Sequence, residues 1–186
     1  LILSGTAGPS PRNRLGLALA RVTAAVAGQR YHSALIIRAQ TGSYCRRIPD
    51  AVSHNAWISR DPAVVAAYDA DPGCQFNFTA AAYRDMLTAL THVSSRKWAA
   101  SLPKDLPVLL VAGTDDPVGD YGSGVREVYA RLGDAGMQDL TCQIYECGRH
   151  EMHNEINRAE LFADELAWLD SRLFGGQGRP QDRPEE

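Results

Sequence analysis

The sequence predicts an α/β fold with a parallel sheet, and the order of elements over residues 107–173 carries this prediction. Val108 to Ala112 form a continuous aliphatic run, which is typical of a strand buried on both faces of a parallel sheet. The hydrophobic pattern then predicts a helix, a second strand and a second helix. Because such a crossover is right-handed and makes its two strands parallel, both strands should end at the same edge of the sheet.

Capping residues and apolar stripes set the expected bounds of these elements. Ser123 is expected to cap the first helix and Gly136 to end it. Its stripe is expected to consist of Val125, Val128, Tyr129 and Leu132. The second strand is predicted from the alternation of Leu140, Cys142 and Ile144 with polar neighbours. Asn157 and Glu160 resemble a capping box for the last helix. Its apolar face is expected to consist of Phe162, Leu166, Leu169 and Leu173.

The first 98 residues predict one short strand followed by a mostly helical region. Leu1 to Leu3 have the character of the end of a buried strand. Ser10 and Pro11 are expected to begin an amphipathic helix that ends at Gly28. Its apolar face is expected to consist of Leu15, Leu19, Val22 and Val26. Further helices are expected to begin after Asp61 and Thr79, whereas residues 29–60 show no sustained period and predict loops or short helices.

Length and composition favour one globular unit without a nucleic-acid or membrane partner. The 186 residues, 45% of them hydrophobic, suffice for one core. The net charge of -3 and the absence of any block of five like charges give no expected attraction to nucleic acid or an anionic membrane. The most apolar stretch, residues 15–27, is short and contains Arg21, so no transmembrane segment is expected. We expect a cytoplasmic protein whose four cysteines are buried or idle thiols.

The first and last residues of the sequence lead to two further predictions. The sequence begins with Leu1, inside an apolar run and without methionine, which predicts that residues 1–174 are part of a longer domain. A partial reading frame, an expression boundary and chain processing would all give this start, and the sequence does not choose among them. Residues 175–186 consist mainly of glycine, proline and charged residues and predict a disordered tail.

Two residues with catalytic chemistry follow the predicted strands. Asp116 lies three residues after Gly113, and His150 lies just beyond Gly148. We expect them to lie close together at the edge where ligands bind in open α/β sheets. A carboxylate beside an imidazole fixes its tautomer and stabilises the imidazolium that forms when the histidine accepts a proton from a nucleophile. The alternative is that Asp116 forms a turn before Pro117 and that His150 is a surface histidine.

A metal site is a second alternative, since residues 150–155 contain two imidazoles and two carboxylates. Zinc-binding helices of the His-Glu-x-x-His type place their histidines four residues apart on one helical face. His150 and His153 are three apart, on a loop that enters a helix. This spacing disfavours a metal, and none is expected. His153 is expected to make local hydrogen bonds, and Glu151 and Glu155 to favour the start of the helix electrostatically.

Two loop sequences resemble those of a known hydrolase family. Residues 113–120, Gly-Thr-Asp-Asp-Pro-Val-Gly-Asp, and residues 148–155, Gly-Arg-His-Glu-Met-His-Asn-Glu, resemble the acid and histidine loops of monoacylglycerol lipase/lysophospholipase-like hydrolases, the serine aminopeptidase-type α/β-hydrolases. Residues 1–6 resemble the strand that follows their nucleophile helix. Residues 57–61 and 71–74 resemble parts of their helical cap. The resemblance covers nearly the whole chain.

The resemblance implies the C-terminal part of an α/β-hydrolase parallel sheet, with a helical cap insertion over about residues 9–98. It implies that Asp116 is the acid of the catalytic triad and His150 its general base, and that the cap shapes an acyl-chain pocket. It further implies a serine hydrolase of the esterase or lipase class that acts on monoacylglycerol- or lysophospholipid-like carboxylic esters. The implied partner is therefore a small-molecule acyl ester, and no cofactor is implied.

The serine of that family is missing from this sequence. Chain order in the fold is serine, acid, histidine, and no Gly-x-Ser-x-Gly precedes Asp116. The motif needs glycines two residues before and two residues after the serine, and Ser4, Ser43 and Ser123 do not have them at that spacing. The nucleophile and the oxyanion hole are therefore expected upstream of Leu1. The alternative is a truncated, non-catalytic remnant that acts as a binding or interaction module, and the coding sequence before Leu1 would distinguish the two.

Overall fold

Three parallel strands form the sheet in a computed structural model that describes residues 1–49 and 51–175. The strands are β1 (Ile2–Ser4), β2 (Val108–Gly113) and β3 (Leu140–Tyr145), and they lie side by side in that order. Leu3 pairs with Leu110, which in turn pairs with Cys142. All six residues of β2 are buried, as expected for the central strand of a covered sheet. The predicted α/β fold with a parallel sheet is confirmed.

Helices fill the chain between the strands. Those between β1 and β2 are α1 (Pro11–Val26), α2 (Ala34–Thr41), α3 (Pro62–Ala70), α4 (Ala80–Val93) and α5 (Arg96–Ser101). A 3-10 turn at Tyr44–Arg47 lies between α2 and α3. Helix α6 (Ser123–Asp134) connects β2 to β3, and α7 (Arg158–Leu173) follows a second 3-10 turn at Met152–Asn154. None of the helices in the described residues is long and apolar enough to cross a membrane.

Side-chain caps explain where the helices before β2 begin. The Ser10 hydroxyl accepts a hydrogen bond from the Arg12 amide, and Pro11 occupies the first turn of α1. Asp61 caps α3 and Thr79 caps α4 in the same way. These three predicted starts are confirmed. The predicted cap at Ser123 is wrong, because Gly122 takes the cap position with a φ of +83° and Ser123 instead donates to the Asp120 carbonyl.

The apolar face predicted for α1 is wrong. Leu15, Val22 and Val26 are 72%, 61% and 84% exposed. The buried residues of the helix are Gly16, Leu17, Ala20 and Ala24. Helix α4 packs against α1, and a Cβ atom on Gly16 would lie 3.2 Å from Cδ1 of Leu87. Three of the four buried residues, Gly16, Ala20 and Ala24, are small, as expected where two helices pack closely, and Leu17 is the one large side chain among them.

The apolar face predicted for α7 is also wrong. Leu166 and Leu173 are exposed, whereas Leu161 is fully buried. Leu161 packs on one face of the sheet together with Leu109, Val111, Tyr145 and Met152. The other buried residue of α7 is Glu165. Because a carboxylate lies on the buried side of the helix, the sequence of that side is less apolar than the sequence of the exposed side.

The core consists of three clusters. Val108, Leu110 and Ala112 point to one face of the sheet and pack on Val125 and Leu132 of α6. Leu109 and Val111 point to the opposite face, which α7 covers. A third cluster joins α1, α2 and α4. The division into a sheet domain over residues 1–174 and a cap at about residues 9–98 stays a prediction, and the predicted tail lies almost wholly outside the described residues.

Candidate active site

The loops that leave β2 and β3 are bound to each other at two glycines. A Cβ atom on Gly113 would lie 1.8 Å from the carbonyl oxygen of Gly148, so only glycine permits this approach. The Asp115 amide donates to the same carbonyl over 2.9 Å. The Thr114 amide donates to the Tyr145 carbonyl, also over 2.9 Å. The backbone therefore holds the two loops together independently of any side-chain contact between them.

Asp116 and His150 meet at this junction. Oδ2 of Asp116 lies 3.1 Å from Nδ1 of His150, within hydrogen-bond reach, so the two side chains lie close together as the topology predicted. The Asp116 side chain is fully buried, and its Oδ1 accepts a 2.8 Å hydrogen bond from the Val118 amide. Both carboxylate oxygens are thus fixed, which orients the imidazole through Nδ1, so that Nε2 points away from the carboxylate. The catalytic role of the pair stays a prediction.

The acid loop has an unusual backbone just beyond Asp116. Asp120 and Tyr121 have φ values of +49° and +56°, and Gly122 continues the left-handed run at +83°. Left-handed residues other than glycine cost about 1–3 kcal/mol each and are frequent at functional sites. The Tyr121 amide donates to the Asp116 carbonyl over 2.8 Å. The Arg47 guanidinium lies 3.7 Å from the centre of the Tyr121 ring, so a cation–π contact joins the acid loop to the 3-10 turn.

The imidazole of His150 is packed between an aromatic ring and a glycine. The Trp57 ring lies 5.1 Å from it, centre to centre, and the His150 amide donates to the Trp57 carbonyl over 3.3 Å. Tyr44 in turn packs edge-on against Trp57 at 4.9 Å. On the other side, a Cβ atom on Gly5 would lie 2.9 Å from Nδ1 of His150. The His150 side chain is 27% exposed, so it remains within reach of a substrate.

A buried carboxylate fastens the histidine loop to the segment around Trp57. Glu155 is fully buried and accepts hydrogen bonds from the backbone amides of Arg60 (3.0 Å), Arg149 (2.9 Å) and Ile156 (3.1 Å). Its second oxygen also forms a 2.9 Å ion pair with the Arg60 guanidinium. The sequence predicted only an electrostatic effect of Glu155 on the helix start. No periodicity or spacing signals a buried glutamate with four donors from three chain positions.

The neighbouring Arg149 strengthens the same attachment. Its guanidinium donates to the carbonyls of Ala56 and Ser59 over 2.7 and 2.8 Å. The Glu151 amide donates to the Ile58 carbonyl over 2.7 Å. The segment at 56–60 therefore follows the histidine loop along its length, and the position of the His150 ring depends on both.

His153 does not join the Asp116–His150 pair. Its Nε2 lies 3.0 Å from Oε2 of Glu165 on α7, which agrees with the predicted local hydrogen bonding. In the part of the chain that the structure describes, no group of three or more His, Cys, Asp or Glu side chains is arranged to hold a metal ion.

A cavity of about 1150 Å³ opens in the helical region beside His150. Its wall includes Trp57, the same ring that packs on the imidazole. Its other apolar and aromatic lining residues include Ile37, Tyr68, Phe76, Phe78 and Tyr83. The lining also includes polar side chains, among them Arg38, Asn55 and Asp69, so apolar and polar surface alternate in a cavity that reaches the imidazole through Trp57.

Tyr44 provides a spectroscopic test of this geometry. Burial, and secondly the nearby charge of Asp116, raise the pKa of the Tyr44 hydroxyl above its usual value. Asp116→Asn is expected to lower the pKa of Tyr44 while leaving it above that of an exposed tyrosine, because burial remains. Titration of ¹³Cζ-labelled tyrosine by NMR, with Tyr44→Phe to assign the resonance, measures both values. An unchanged Tyr44 titration in Asp116→Asn would show that the ring lies away from the acid loop.

A comparison with known protein families shows which family the chain belongs to. The profile of the family described as serine aminopeptidase, S33 matches residues 1–157. The chain belongs to this family. Membership confirms the α/β-hydrolase fold predicted from the acid and histidine loops.

Solved structures show the same fold at low sequence identity. A highly thermostable carboxyl esterase from Bacillus coagulans, solved in complex with glycerol, is 27% identical with a TM-score of 0.84, over 92% of this chain and 56% of that one. A monoacylglycerol lipase from Paleococcus ferrophilus is 20% identical with a TM-score of 0.64, over 91% and 58%. A soluble variant of monoglyceride lipase from Saccharomyces cerevisiae, bound to a substrate analogue, is 19% identical with a TM-score of 0.65, over 91% and 55%. The chain thus spans little more than half the length of these proteins.

Proposed function

We propose that this chain carries the acid and the base of a serine hydrolase of the esterase or lipase class. The observation that carries the proposal is the 3.1 Å contact between buried Asp116 and partly exposed His150, at the ends of adjacent parallel strands. The relationship to serine aminopeptidase S33-type hydrolases supports it. The serine that completes the site is proposed to lie outside these 186 residues, as the family's motif is missing from them.

The proposed mechanism divides the work between the two side chains. Nε2 of His150 accepts the proton of the serine hydroxyl as that oxygen attacks the ester carbonyl, and it returns the proton to the departing alcohol. Asp116 accepts the Nδ1–H hydrogen bond, which holds the ring in this tautomer and stabilises the imidazolium between the two steps. The same histidine then activates the water that releases the acid. No cofactor takes part in these steps.

The substrates proposed are monoacylglycerol- or lysophospholipid-like carboxylic esters. The aromatic and aliphatic part of the cavity wall, which includes Trp57 beside His150, would contact an acyl chain, and the polar part would contact the head group. The names of the carboxyl esterase and the monoacylglycerol lipase among the solved structures support the same substrate class. A cytoplasmic location remains a prediction.

An activity assay on two lengths of the protein tests the proposal. The 186 residues alone are expected not to hydrolyse p-nitrophenyl esters, whereas a longer form that supplies a serine elbow is expected to do so. Each missing oxyanion donor alone costs about 3–4 kcal/mol of transition-state stabilisation, and the activated nucleophile is lost as well. A fluorophosphonate probe should label the longer form on serine and leave the short form unlabelled.

Two outcomes would contradict this proposal. Saturable hydrolysis by the 186 residues, with serine labelling abolished by His150→Ala, would mean that a serine such as Ser4 acts as the nucleophile. A longer form that carries the serine motif, folds, and still neither reacts with the probe nor hydrolyses esters would favour the non-catalytic alternative.

A further inference from the structure

A second cavity lies apart from the candidate active site. It has a volume of about 620 Å³ and lies where the beginning of α1, the end of α4, α5 and the last turn of α6 meet. In the described part of the chain, no residue lines both this cavity and the one beside Trp57. We call it the arginine cavity, because Arg14, Arg96 and Arg131 are its charged lining residues.

All the charges on the wall of the arginine cavity have the same sign. Its three arginines come from three different helices, and no acidic side chain is among the described residues that line it. The cavity beside the histidine differs, since Asp69 is part of its wall. A concave site lined by charges of one sign raises the local concentration of the opposite ion. The arginine cavity is therefore suited to an anion.

Arg131 is already held in place by the protein. Its Nε donates a 2.7 Å hydrogen bond to Glu127, and its Nη1 donates to the Ser94 carbonyl over 2.8 Å. Its side chain is only 24% exposed. These two contacts leave the donors of Nη2 for a ligand, since a guanidinium has five N–H donors. Because the side chain is fixed before binding, the loss of side-chain freedom on binding is small.

Arg14 and Arg96 add positive charge to the cavity. Arg96 forms a 3.2 Å ion pair with Asp134, but its side chain is 71% exposed, and exposed pairs contribute little stability. The Arg14 side chain forms no hydrogen bond or ion pair with any residue that the structure describes, and α1 contains no acidic residue. Two carboxylates therefore accompany three guanidinium groups, and a net positive charge remains.

The uncharged part of the wall indicates a polar ligand. Apart from two prolines, the other described residues on the wall carry hydroxyl or amide groups: Ser10, Asn13, Thr91, Ser94 and Ser95. Groups that both donate and accept hydrogen bonds match the hydroxyls of a polyol. The volume falls within the range of small-molecule sites, about 300–1,000 Å³, and exceeds what a phosphate ion alone would fill. The wall thus favours a hydroxylated anion over an acyl chain.

We propose that the arginine cavity binds a soluble phosphorylated polyol, such as a sugar phosphate. Arg131 donates to the phosphate oxygens, Arg14 and Arg96 stabilise the negative charge, and the serine and threonine hydroxyls contact the polyol. A phosphate monoester carries about 1.5 to 2 negative charges at pH 7, which matches three guanidinium groups better than a single carboxylate does. The proposal does not depend on catalysis, because neither a nucleophilic serine nor a carboxylic ester takes part.

Isothermal titration calorimetry with the full chain tests the proposal. Saturable binding is expected with glucose 6-phosphate or glycerol 3-phosphate, and none with glucose or glycerol. Inorganic phosphate is expected to bind more weakly, because it leaves the hydroxyls of the wall unused. Arg14→Gln is expected to weaken binding about fivefold, the effect of one unit charge at contact distance in water. Arg131→Gln should weaken it about tenfold, since a hydrogen bond to a charged group is lost.

Two variants on the same helices are the controls. Arg21→Gln removes an exposed arginine from α1, and Arg126→Gln removes one from α6, and neither residue lines the cavity. Both should bind the phosphate esters as the unchanged chain does. Arg14→Gln should leave the circular dichroism spectrum unchanged, because the side chain is exposed and glutamine favours helices.

Several other results would each overturn the proposal. They include absence of binding by both phosphate esters and equal losses in the control variants. Inorganic phosphate that binds as tightly as the esters would mean that the cavity recognises an anion without a polyol. Binding to vesicles that contain phosphatidylinositol 4-phosphate, without binding of the soluble esters, would assign the cavity to a lipid headgroup. A longer form of the protein that binds neither ester would mean that the rest of the chain fills the cavity.

Discussion

Asparagine in place of Asp116 is expected to lower kcat about 10⁴-fold in a form of the protein that contains the serine, with little change in KM. The carboxylate accepts a hydrogen bond from the Nδ1–H group of His150 at 3.1 Å, and its other oxygen is already fixed by the Val118 amide. An amide in its place presents an N–H to the ring and favours the opposite tautomer, which has its proton on Nε2. The histidine then cannot accept the serine proton. Steady-state kinetics with a p-nitrophenyl ester measure the effect.

Asp115→Asn is the matched control, since it makes the same chemical change one residue earlier. Asp115 is exposed, and its backbone amide, which the substitution leaves in place, makes the contact with Gly148. Its kcat is expected to remain within about twofold of the unchanged protein, as for surface substitutions away from a site. Equal losses in the two variants would mean that the loop as a whole, and not the Asp116 carboxylate, supports activity.

The sequence was sufficient for the topology and for the Asp116–His150 pair because both follow from strong local signals. A strand buried on both faces is aliphatic without interruption, as β2 is, and parallel strands bring their ends to one edge. The loops after Gly113 and Gly148 therefore had to meet. A one-dimensional pattern contains that information, since chain order and handedness alone determine it.

The sequence pattern did not predict which helix faces are buried or which side chains meet across long distances in the chain. The faces of α1 and α7 were misassigned because each helix carries two stripes, and packing distance decides which is buried. In α1 the close approach of α4 favours Gly16 and Ala20 over the larger Leu15. Glu155 has the appearance of a solvent-exposed residue in sequence. Only the fold brings Arg60 to it, across 95 positions of the chain.

That buried glutamate carries the second large effect that we expect. Glu155→Ala should lower the free energy of unfolding by about 3–5 kcal/mol, the usual cost of removing one member of a buried ion pair. The substitution leaves the Arg60 guanidinium without its carboxylate, and the amides of Arg60, Arg149 and Ile156 lose their acceptor. Urea unfolding followed by tryptophan fluorescence gives the change, provided that the slope of the transition is unchanged.

Glu151→Ala is the control, because Glu151 lies in the same loop. Its carboxylate accepts an exposed hydrogen bond from the Asn154 side chain, whereas the Glu155 carboxylate is buried. We expect it to cost less than about 1 kcal/mol. Since the Glu155 network holds the segment of Trp57 against the histidine loop, Glu155→Gln should also broaden the His150 imidazole resonances more than Glu151→Gln does. A loss in Glu155→Ala as small as that expected for Glu151→Ala would show that the loop tolerates the missing Glu155 carboxylate. The attachment of residues 56–60 would then depend on Arg149 and its contacts with the Ala56 and Ser59 carbonyls.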